Sequence, residues 1–142
     1  ALLALATAFS RILTMLNAPQ VLASFLSGII SSRISFLILL NIVLLILGMF
    51  IDGAPAILIL SPLLMPIAQQ FGIDPVHLGI IMVCNLAVGL ASPPFGLNLF
   101  VASSTNGAPI MEISRKVVPF ILAFLVALIL ITFVPSISLC LV

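Results

Sequence analysis

Two interruptions of long apolar runs hold the residues best suited to chemistry. They read DGAP at residues 52–55 and SPPFG at residues 92–96. Proline has no backbone N–H and its ring clashes with the preceding turn, so adjacent prolines cannot lie inside a regular helix. Each interruption leaves carbonyl groups free at the end of one helix and amide groups free at the start of the next. Because free carbonyls suit a hard monovalent cation and free amides suit a carboxylate, both breaks are candidate binding sites.

Paired breaks of this kind are typical of the binding site of a secondary transporter. Backbone groups left unpaired in hydrocarbon are costly, so such a break must face protein or a water-filled cavity. The alternative is a pair of proline kinks that only shape helix packing. We favour a transport site because two breaks occur in one short chain and polar side chains accompany them, namely Asp52, Asn85, Ser92 and Asn98.

The same residues do not favour enzymatic chemistry. An intramembrane hydrolase needs a nucleophile paired with a base, or two carboxylates on facing helices. Asp52 is the only acidic residue expected at membrane depth, and no Ser–His pair is apparent. Cys84 and Cys140 stand in apolar stretches without the spacing of a disulfide or metal site, which indicates packing residues. His77 follows a turn and is expected at the membrane boundary.

The amino-acid composition indicates whether water or lipid surrounds these breaks. Of the 142 residues, 64% are hydrophobic and 5% are charged, whereas about 25% are charged in a typical soluble domain. A soluble protein of this size could not bury so much apolar surface. The composition therefore predicts an all-α integral membrane protein in contact with lipid. The net charge of +1 gives no sign of a nucleic-acid partner.

The first two predicted elements are a membrane helix and a short helix along the membrane surface. Residues 1–17 are apolar and are expected to be the end of a spanning helix. In residues 18–33, apolar side chains recur at helical spacing with polar ones between them. A helix of roughly 12 residues is about 18 Å long, too short for a bilayer core of about 30 Å. We therefore predict an interfacial arm that Arg33 closes.

Residues 34–71 form two apolar legs around the break at Asp52. The second leg is predicted to start at Pro55, and its roughly 14 helical residues reach only about 21 Å. This length predicts a re-entrant hairpin whose tip stops at mid-membrane. Two ordinary spanning helices joined by a surface turn remain an alternative. Asn41 and Asn85 are candidates for an interhelical hydrogen bond.

The remaining predicted elements are a broken membrane helix at residues 76–104 and a final membrane helix at residues 117–135. The broken helix is apolar up to the SPPFG motif and resumes after it. Arg115 and Lys116 precede the final helix. Because cytoplasmic loops carry an excess of positive charge, these two residues favour a cytoplasmic start for that helix.

Four motifs follow one another at continuous spacing. They are GMFID at 48–52, PLLMPIA at 62–68, GIDPVHLGII at 72–81 and GLASPPFGLNLF at 89–100. In these motifs the chain resembles the large membrane subunit of the tripartite ATP-independent periplasmic (TRAP) transporters. The resemblance extends through the final VPFILAF and ITFVPSIS. One departure is Ser92, where the family commonly has Thr, and a hydroxyl is retained there.

The resemblance implies an elevator-type transporter with two inverted repeats, each holding a re-entrant helical hairpin and a broken transmembrane helix. This chain would be the second repeat and a fragment of a longer permease. The expected parts are the end of a scaffold helix (1–17), an interfacial arm (18–33), the hairpin (34–71), the broken helix (76–104) and the last scaffold helix (117–135).

The resemblance also implies a sodium site whose ligands are three backbone carbonyls and one side-chain hydroxyl, those of Gly48, Gly89, Phe95 and Ser92. Asp52, Asn98 and Asn85 are weaker candidates that would contact the substrate or support the site. Asp52 has an alternative role as the cap of the second leg. Sodium is the coupling ion, and no other metal and no organic cofactor is implied.

The function implied by the resemblance is the coupling of sodium entry to the uptake of a small organic acid, such as a C4-dicarboxylate or sialic acid. The expected partners are a periplasmic binding protein that delivers the acid, a small four-helix membrane subunit and membrane lipid. The expected location is the bacterial inner membrane, as a multi-pass protein. Two alternatives stay open: a sodium-coupled carboxylate transporter without a binding protein, and a structural membrane subunit that transports nothing.

Overall fold

The computed structural model describes residues 2–29 and 32–140, and each regular element in these ranges is an α-helix. The helices are α1 (Leu2–Met15), α2 (Ala18–Ile29), α3 (Arg33–Phe50), α4 (Gly53–Gln70), α5 (Pro75–Ala91), α6 (Leu97–Asn106), α7 (Ile110–Phe133) and α8 (Pro135–Leu139). Of these described helices, α3, α4 and α7 are long and apolar enough to cross a membrane. The prediction of an all-α integral membrane protein is thereby confirmed.

The first two helices, α1 and α2, both pack against α4. α2 has 12 residues, the length predicted for the arm. The predicted end of the arm falls partly on residues 30 and 31, which lie outside the described residues. The prediction that Arg33 closes the arm is wrong, and Arg33 begins α3 instead. The reason is Ser32, whose Oγ accepts a hydrogen bond from the backbone N–H of Ile34 (3.3 Å) and so caps α3.

The legs predicted around Asp52 are α3 and α4, which run antiparallel. Phe36 near the start of α3 stacks on Phe71 just after the end of α4, with ring centroids 4.8 Å apart. The predicted start of the second leg at Pro55 is wrong. Asp52 Oδ1 accepts a hydrogen bond from the N–H of Gly53 (2.8 Å), so α4 begins at Gly53 and has 18 residues.

The predicted length of about 14 residues is also wrong, because α4 extends from Gly53 to Gln70. The helix keeps Pro62 and Pro66 in its interior. Membrane helices tolerate proline where neighbouring helices cover the freed backbone groups, and α1, α2 and α5 all pack against α4. At about 27 Å, α4 nearly matches a bilayer core of about 30 Å. Length therefore does not separate a re-entrant hairpin from two spanning helices, and the re-entrant hairpin stays a prediction.

The break predicted at the SPPFG motif is present. α5 ends at Ala91 and α6 begins at Leu97. Asp74 Oδ1 accepts a hydrogen bond from the N–H of Val76 (2.8 Å) and caps the start of α5. α6 ends at Asn106, and the next residue, Gly107, has a φ of 67°, the left-handed conformation that favours glycine after a helix. The broken helix therefore has two well-defined halves.

The final long helix, α7, begins at Ile110, earlier than the predicted residue 117. Lys116 Nζ donates a hydrogen bond to Glu112 Oε1 (2.7 Å), and such pairs four residues apart support helical structure. The charged stretch is therefore part of the helix rather than a loop. α7 ends at Phe133, and Pro135 begins the short α8. The scaffold role and the cytoplasmic start of this helix stay predictions.

The central helix is α5, which packs against α3, α4, α6, α7 and α8. The main apolar core joins α3, α4, α5 and the turn before α5, and its buried members are Phe36, Leu37, Leu40, Leu44, Ile67, Ala68, Ile73, Leu78, Ile81 and Met82. By contrast, α7 leaves most of its apolar side chains exposed. This packing fixes α3 firmly against α5, and these two helices carry most of the candidate site.

A set of buried hydrogen bonds, here called the polar ladder, joins α5 to α3, α7 and α8. Asn85 Nδ2 and Thr132 Oγ1 both donate to Asn41 Oδ1, at 2.9 and 3.2 Å. His77 Nε2 lies 3.2 Å from the carbonyl oxygen of Thr132, and His77 Nδ1 lies 2.9 Å from Ser138 Oγ. The predicted hydrogen bond between Asn41 and Asn85 is confirmed. The end of α7 and α8 bury the ring of His77 completely, and its position at the membrane boundary stays a prediction.

The substitution Asn41→Leu should destabilise the protein, because it removes the acceptor of the Thr132 hydroxyl and of one Asn85 amide proton. We expect a loss of about 1–2 kcal/mol of unfolding free energy. The double variant Asn41→Leu/Asn85→Leu should lose less than the sum of the two single variants, because both remove the same interaction. Thermal unfolding of the purified protein in detergent measures the effect.

The matched control is Ser104→Ala, since the exposed Ser104 hydroxyl donates to the carbonyl of Val101 on its own helix (2.9 Å). Its unfolding temperature should stay close to that of the wild type. Equal unfolding temperatures for Asn41→Leu and the control would contradict a stabilising role of the polar ladder.

Candidate ion-binding site

The backbones of α3 and α5 are in direct contact at Gly48 and Gly89. A β-carbon built on Gly89 would lie 2.7 Å from both the Cα and the carbonyl carbon of Gly48. A β-carbon built on Gly48 would lie 3.0 Å from the Cα of Leu86. Only glycine permits so close an approach of two backbones. Two of the residues predicted to share a site are thereby brought together.

This crossing places two helix C-termini side by side. α3 ends at Phe50, two residues after Gly48, and α5 ends at Ala91, two residues after Gly89. The C-terminal end of a helix carries partial negative charge on its free carbonyls. Because two such ends converge here, the local field favours a cation.

Ser92 is the residue directly after the end of α5, and its side chain and backbone are 4% exposed. Its N–H donates to the carbonyl of Gly89 (2.9 Å), and its hydroxyl donates to the carbonyl of Val88 (2.7 Å). The hydroxyl proton is therefore used inside the helix, and the lone pairs of Oγ remain free to accept from a donor or to ligate a cation. The Ser92 carbonyl accepts a hydrogen bond from the N–H of Gly96 (2.9 Å), which folds the break into a tight turn.

Two of the predicted carbonyl ligands, those of Gly48 and Phe95, accept none of the turn, loop and cap hydrogen bonds of the described residues. The chain leaves the helix soon after Gly48. Pro93, four residues after Gly89, has no N–H to donate to the Gly89 carbonyl, which accepts instead from the N–H of Ser92. Together with the buried hydroxyl of Ser92, these carbonyls would form an all-oxygen, uncharged ligand set. Such a set suits a hard monovalent cation.

The break lies beside a cavity of about 240 Å³ between α3, α5 and α7. Ser92 and Pro93 line one side, and Leu45 and Met49 of α3 line another. The remaining walls come from apolar side chains of α7. A binding site at a helix break requires such a space, because the freed groups must not face close-packed hydrocarbon.

An aromatic contact joins the hairpin tip to the break. The rings of Phe50 and Phe95 have centroids 5.0 Å apart and planes tilted by 34°. Sequence reasoning singled out Phe95 for its carbonyl but missed Phe50. Nothing in the residue pattern distinguishes Phe50 from the other apolar residues that end α3, and only the fold reveals its partner.

Asp52 and Asn98 lie on the exposed side of the breaks. Asp52 caps α4 through its side-chain oxygen, the alternative role considered for it. It also lines a groove of about 440 Å³ between α1 and the hairpin tip, together with Phe9 and Phe50. Asn98 lies in the first turn of α6, whose N-terminus has no side-chain cap. Contact with a substrate stays a prediction for both residues.

Asn85 lies apart from the other candidates, fully buried in the polar ladder. Its Nδ2 donates both to Asn41 Oδ1 (2.9 Å) and to the carbonyl of Ile81 (2.8 Å). These two bonds fix the amide orientation and leave Asn85 Oδ1 without a hydrogen-bond partner in the described part of the chain. The enclosed side chain joins helices, and a supporting role for it at the site stays a prediction.

Comparison with known proteins finds relatives over nearly the whole chain. A family model described as tripartite ATP-independent periplasmic transporter, DctM component, matches residues 1–137. The chain is 46% identical over 140 residues to the C4-dicarboxylate TRAP transporter large permease protein DctM of Pseudomonas aeruginosa, which covers 99% of this chain and 33% of the relative. It is 44% identical over 136 residues to the isethionate TRAP transporter permease protein DctMQ of Oleidesulfovibrio alaskensis, covering 96% and 21%.

A third relative is the sialic acid TRAP transporter large permease protein SiaM of Vibrio cholerae. It is 36% identical over 133 residues, which cover 94% of this chain and 31% of that protein. The chain thus spans between a fifth and a third of the length of these relatives.

The substitution Gly89→Ala should disrupt the crossing of α3 and α5, because the new β-carbon would overlap the Gly48 backbone. Overpacking of this kind costs about 1–3 kcal/mol, so the unfolding temperature of the purified protein should fall by several degrees. Gly79→Ala is the matched control on the same helix, since a β-carbon there meets nothing within 4 Å. The control should be neutral or slightly stabilising, because alanine favours helix over glycine. Equal unfolding temperatures for the two variants would show that the crossing is looser than described.

Proposed function

Because the chain belongs to the DctM component family of the tripartite ATP-independent periplasmic transporters, we propose that it forms part of a sodium-driven permease for small organic acids. It is a component of a transporter rather than of an enzyme, since its relatives are named as permeases. It is part of a multi-pass protein of the bacterial inner membrane. The observation that carries the proposal is the meeting of two helix C-termini at Gly48 and Gly89, beside the buried hydroxyl of Ser92.

The ligand set supports sodium as the coupling ion. Gly48, Gly89 and Phe95 offer carbonyl oxygens, and Ser92 offers a hydroxyl oxygen with free lone pairs. No full negative charge is among these groups, and divalent cations are usually held by carboxylates. The nearest acidic group in sequence, Asp52, directs one oxygen to the N–H of Gly53. An uncharged oxygen set formed by helix ends therefore favours a monovalent ion.

The other side of the break supports an anionic substrate. α6 begins at Leu97 without a side-chain cap, and the N–H groups of Leu97 and Asn98 make none of the turn, loop and cap hydrogen bonds of the described residues, so they are open to an acceptor. A helix N-terminus favours a carboxylate through both its free N–H groups and its partial positive charge. Asn98 is exposed in that first turn and adds an amide group. The relatives are named for C4-dicarboxylate, sialic acid and isethionate, all of which are small organic anions.

The whole transporter requires more than this chain. In the proposal, the relatives' additional length contains an inverted first repeat that supplies the other half of the substrate site. A periplasmic binding protein delivers the acid, and a small four-helix subunit supports the permease in the membrane. The hairpin of α3 and α4 and the broken helix of α5 and α6 form the second half of the pocket.

Replacement of Ser92 tests the sodium site. Ser92→Ala removes one oxygen ligand, so the sodium concentration for half-maximal uptake should rise about tenfold, the equivalent of about 1.4 kcal/mol. Ser92→Thr keeps the hydroxyl and should stay close to the wild type. The measurement is uptake of labelled organic acid by the complete permease in proteoliposomes, at varied sodium concentration and constant ionic strength.

Ser104→Ala serves as the control, since it removes a hydroxyl from the exposed surface of α6. Its sodium dependence should equal that of the wild type. Wild-type uptake that is indifferent to sodium would refute the proposed coupling. Uptake that depends on sodium but is unchanged in Ser92→Ala would refute the assigned ligand.

A further inference from the structure

A crevice with polar donors lies between α1 and the middle of α4, apart from the candidate ion site. Its volume is about 370 Å³. The crevice, here called the α1–α4 crevice, is lined by Ser10, Arg11, Thr14, Met15 and Pro62. All of these residues except Pro62 belong to α1, so the chemistry of the crevice comes mainly from that helix.

Arg11 is the only charged residue among residues 2–29. It is exposed, and it takes part in no ion pair in the part of the chain that the structure describes, where Lys116 pairs with Glu112. A charged side chain in an apolar membrane helix is costly, and it is kept where a partner or a headgroup receives it. The described residues supply no such partner, so Arg11 is open to an anion from outside them.

Ser10 adds a second donor to the crevice. The residue is 7% exposed, and its hydroxyl makes none of the side-chain hydrogen bonds of the described residues. The neighbouring Thr14 hydroxyl, by contrast, donates to the Ser10 carbonyl (2.9 Å) and is used inside the helix. A buried hydroxyl without a partner beside a guanidinium is a donor pair that suits an oxygen anion.

The crevice lies close to the end of α1 that leads into α2. Met15 lines the crevice and is the last residue of α1. It follows Arg11 by four residues, or about 6 Å along the helix axis. An arginine side chain can carry its charge to the membrane surface over such a distance. Because α2 is the expected interfacial arm, we expect the anion at the level of the lipid headgroups.

Exposed apolar side chains surround these donors. They belong to the end of α1, to the turn after it and to α2, and they are Ile12, Met15, Leu16, Val21 and Leu22. Acyl chains would cover such a surface, whereas a free inorganic anion would leave it bare. The described lining of the crevice contains no carboxylate to receive the ammonium group of a zwitterionic headgroup. A single positive charge beside an apolar surface therefore matches an anionic phospholipid.

We propose that the α1–α4 crevice binds the phosphate group of an anionic phospholipid, such as phosphatidylglycerol. Arg11 pairs with the phosphate, Ser10 donates a hydrogen bond to it, and the acyl chains lie along the apolar side chains of α1 and α2. A lipid bound there contacts both α1 and Pro62, and so joins the first helix to the hairpin. This inference does not depend on the coupling ion or on the transported acid.

The test is the binding of phosphatidylglycerol to the complete purified permease in detergent, counted by native mass spectrometry during a lipid titration. In Arg11→Gln, one of the tightly bound lipids per permease should require about tenfold more phosphatidylglycerol, because a charge-assisted hydrogen bond is lost. In Ser10→Ala the increase should be about threefold, since a neutral hydrogen bond is lost. Binding of phosphatidylcholine should be the same in the wild type and in both variants.

Arg33→Gln is the matched control, since Arg33 is also an exposed arginine but begins α3 and does not line the crevice. It removes the same charge and should leave phosphatidylglycerol binding unchanged. A second measurement covers the case in which Arg11→Gln does not fold. A phosphatidylglycerol with a photoreactive headgroup, added to the wild type, should label peptides that contain residues 10–15 or Pro62.

Four results would overturn the inference. They are equal phosphatidylglycerol binding by the wild type and Arg11→Gln, an equal loss in Arg33→Gln, labelling confined to other peptides, and displacement of the lipid by millimolar inorganic phosphate. The last result would identify a site for a free anion. A structure of the complete permease in which an acidic side chain from its additional length pairs with Arg11 would also overturn it. A loss of phosphatidylglycerol in Arg11→Gln alone of the two arginine variants, with labelling at the crevice, supports it.

Discussion

The close crossing of α3 and α5 at Gly48 and Gly89 is the contact on which the rest of the site depends. Any side chain at Gly89 would push the helices apart, since a β-carbon there would already lie 2.7 Å from the Gly48 backbone. This contact brings two helix C-termini together, each with partial negative charge on its last carbonyls. The paired prolines after Ser92 end α5, and the crossing places the end of α3 beside the end of α5. In the proposed function, both features are needed to supply the oxygen ligands of the ion.

The features that favour a cation and an anion lie at opposite ends of one five-residue break. The carbonyls that end α5 precede it, and the uncapped N-terminus of α6 follows it. In the proposed function, an ion held by the carbonyls orders the break and thereby orders the start of α6. The ligand that binds second then loses less conformational freedom, and the coupling is reciprocal. Sodium and substrate would be coupled through residues 92–96 without any longer path.

The breaks were predictable from sequence because proline acts locally, whereas contacts between helices depend on the fold. Adjacent prolines end a helix in any surroundings, so the interruption after Ala91 followed from the residues alone. The burial of His77 could not be predicted from the residues alone, because it depends on α8, which is distant in sequence. The full length of α4 was missed because Pro55 was taken as the start of the helix, whereas the side chain of Asp52 caps a helix that starts at Gly53. The contact between Phe50 and Phe95 could not be predicted either, because it forms only when the fold brings the two breaks together.

Polar contacts rather than a large apolar interface connect α7 to the helices of the site. Cavities of about 330 and 460 Å³ flank α7, and most of its apolar side chains are exposed. Two hydrogen bonds of the polar ladder link Thr132 of α7 to Asn41 and His77, and a third links Ser138 of α8 to His77. Breaking them would leave donors and acceptors unpaired away from water, which costs more than losing the same area of apolar contact. The polar ladder therefore opposes any movement that separates α7 from α3 and α5, and it favours movements in which the three helices stay together.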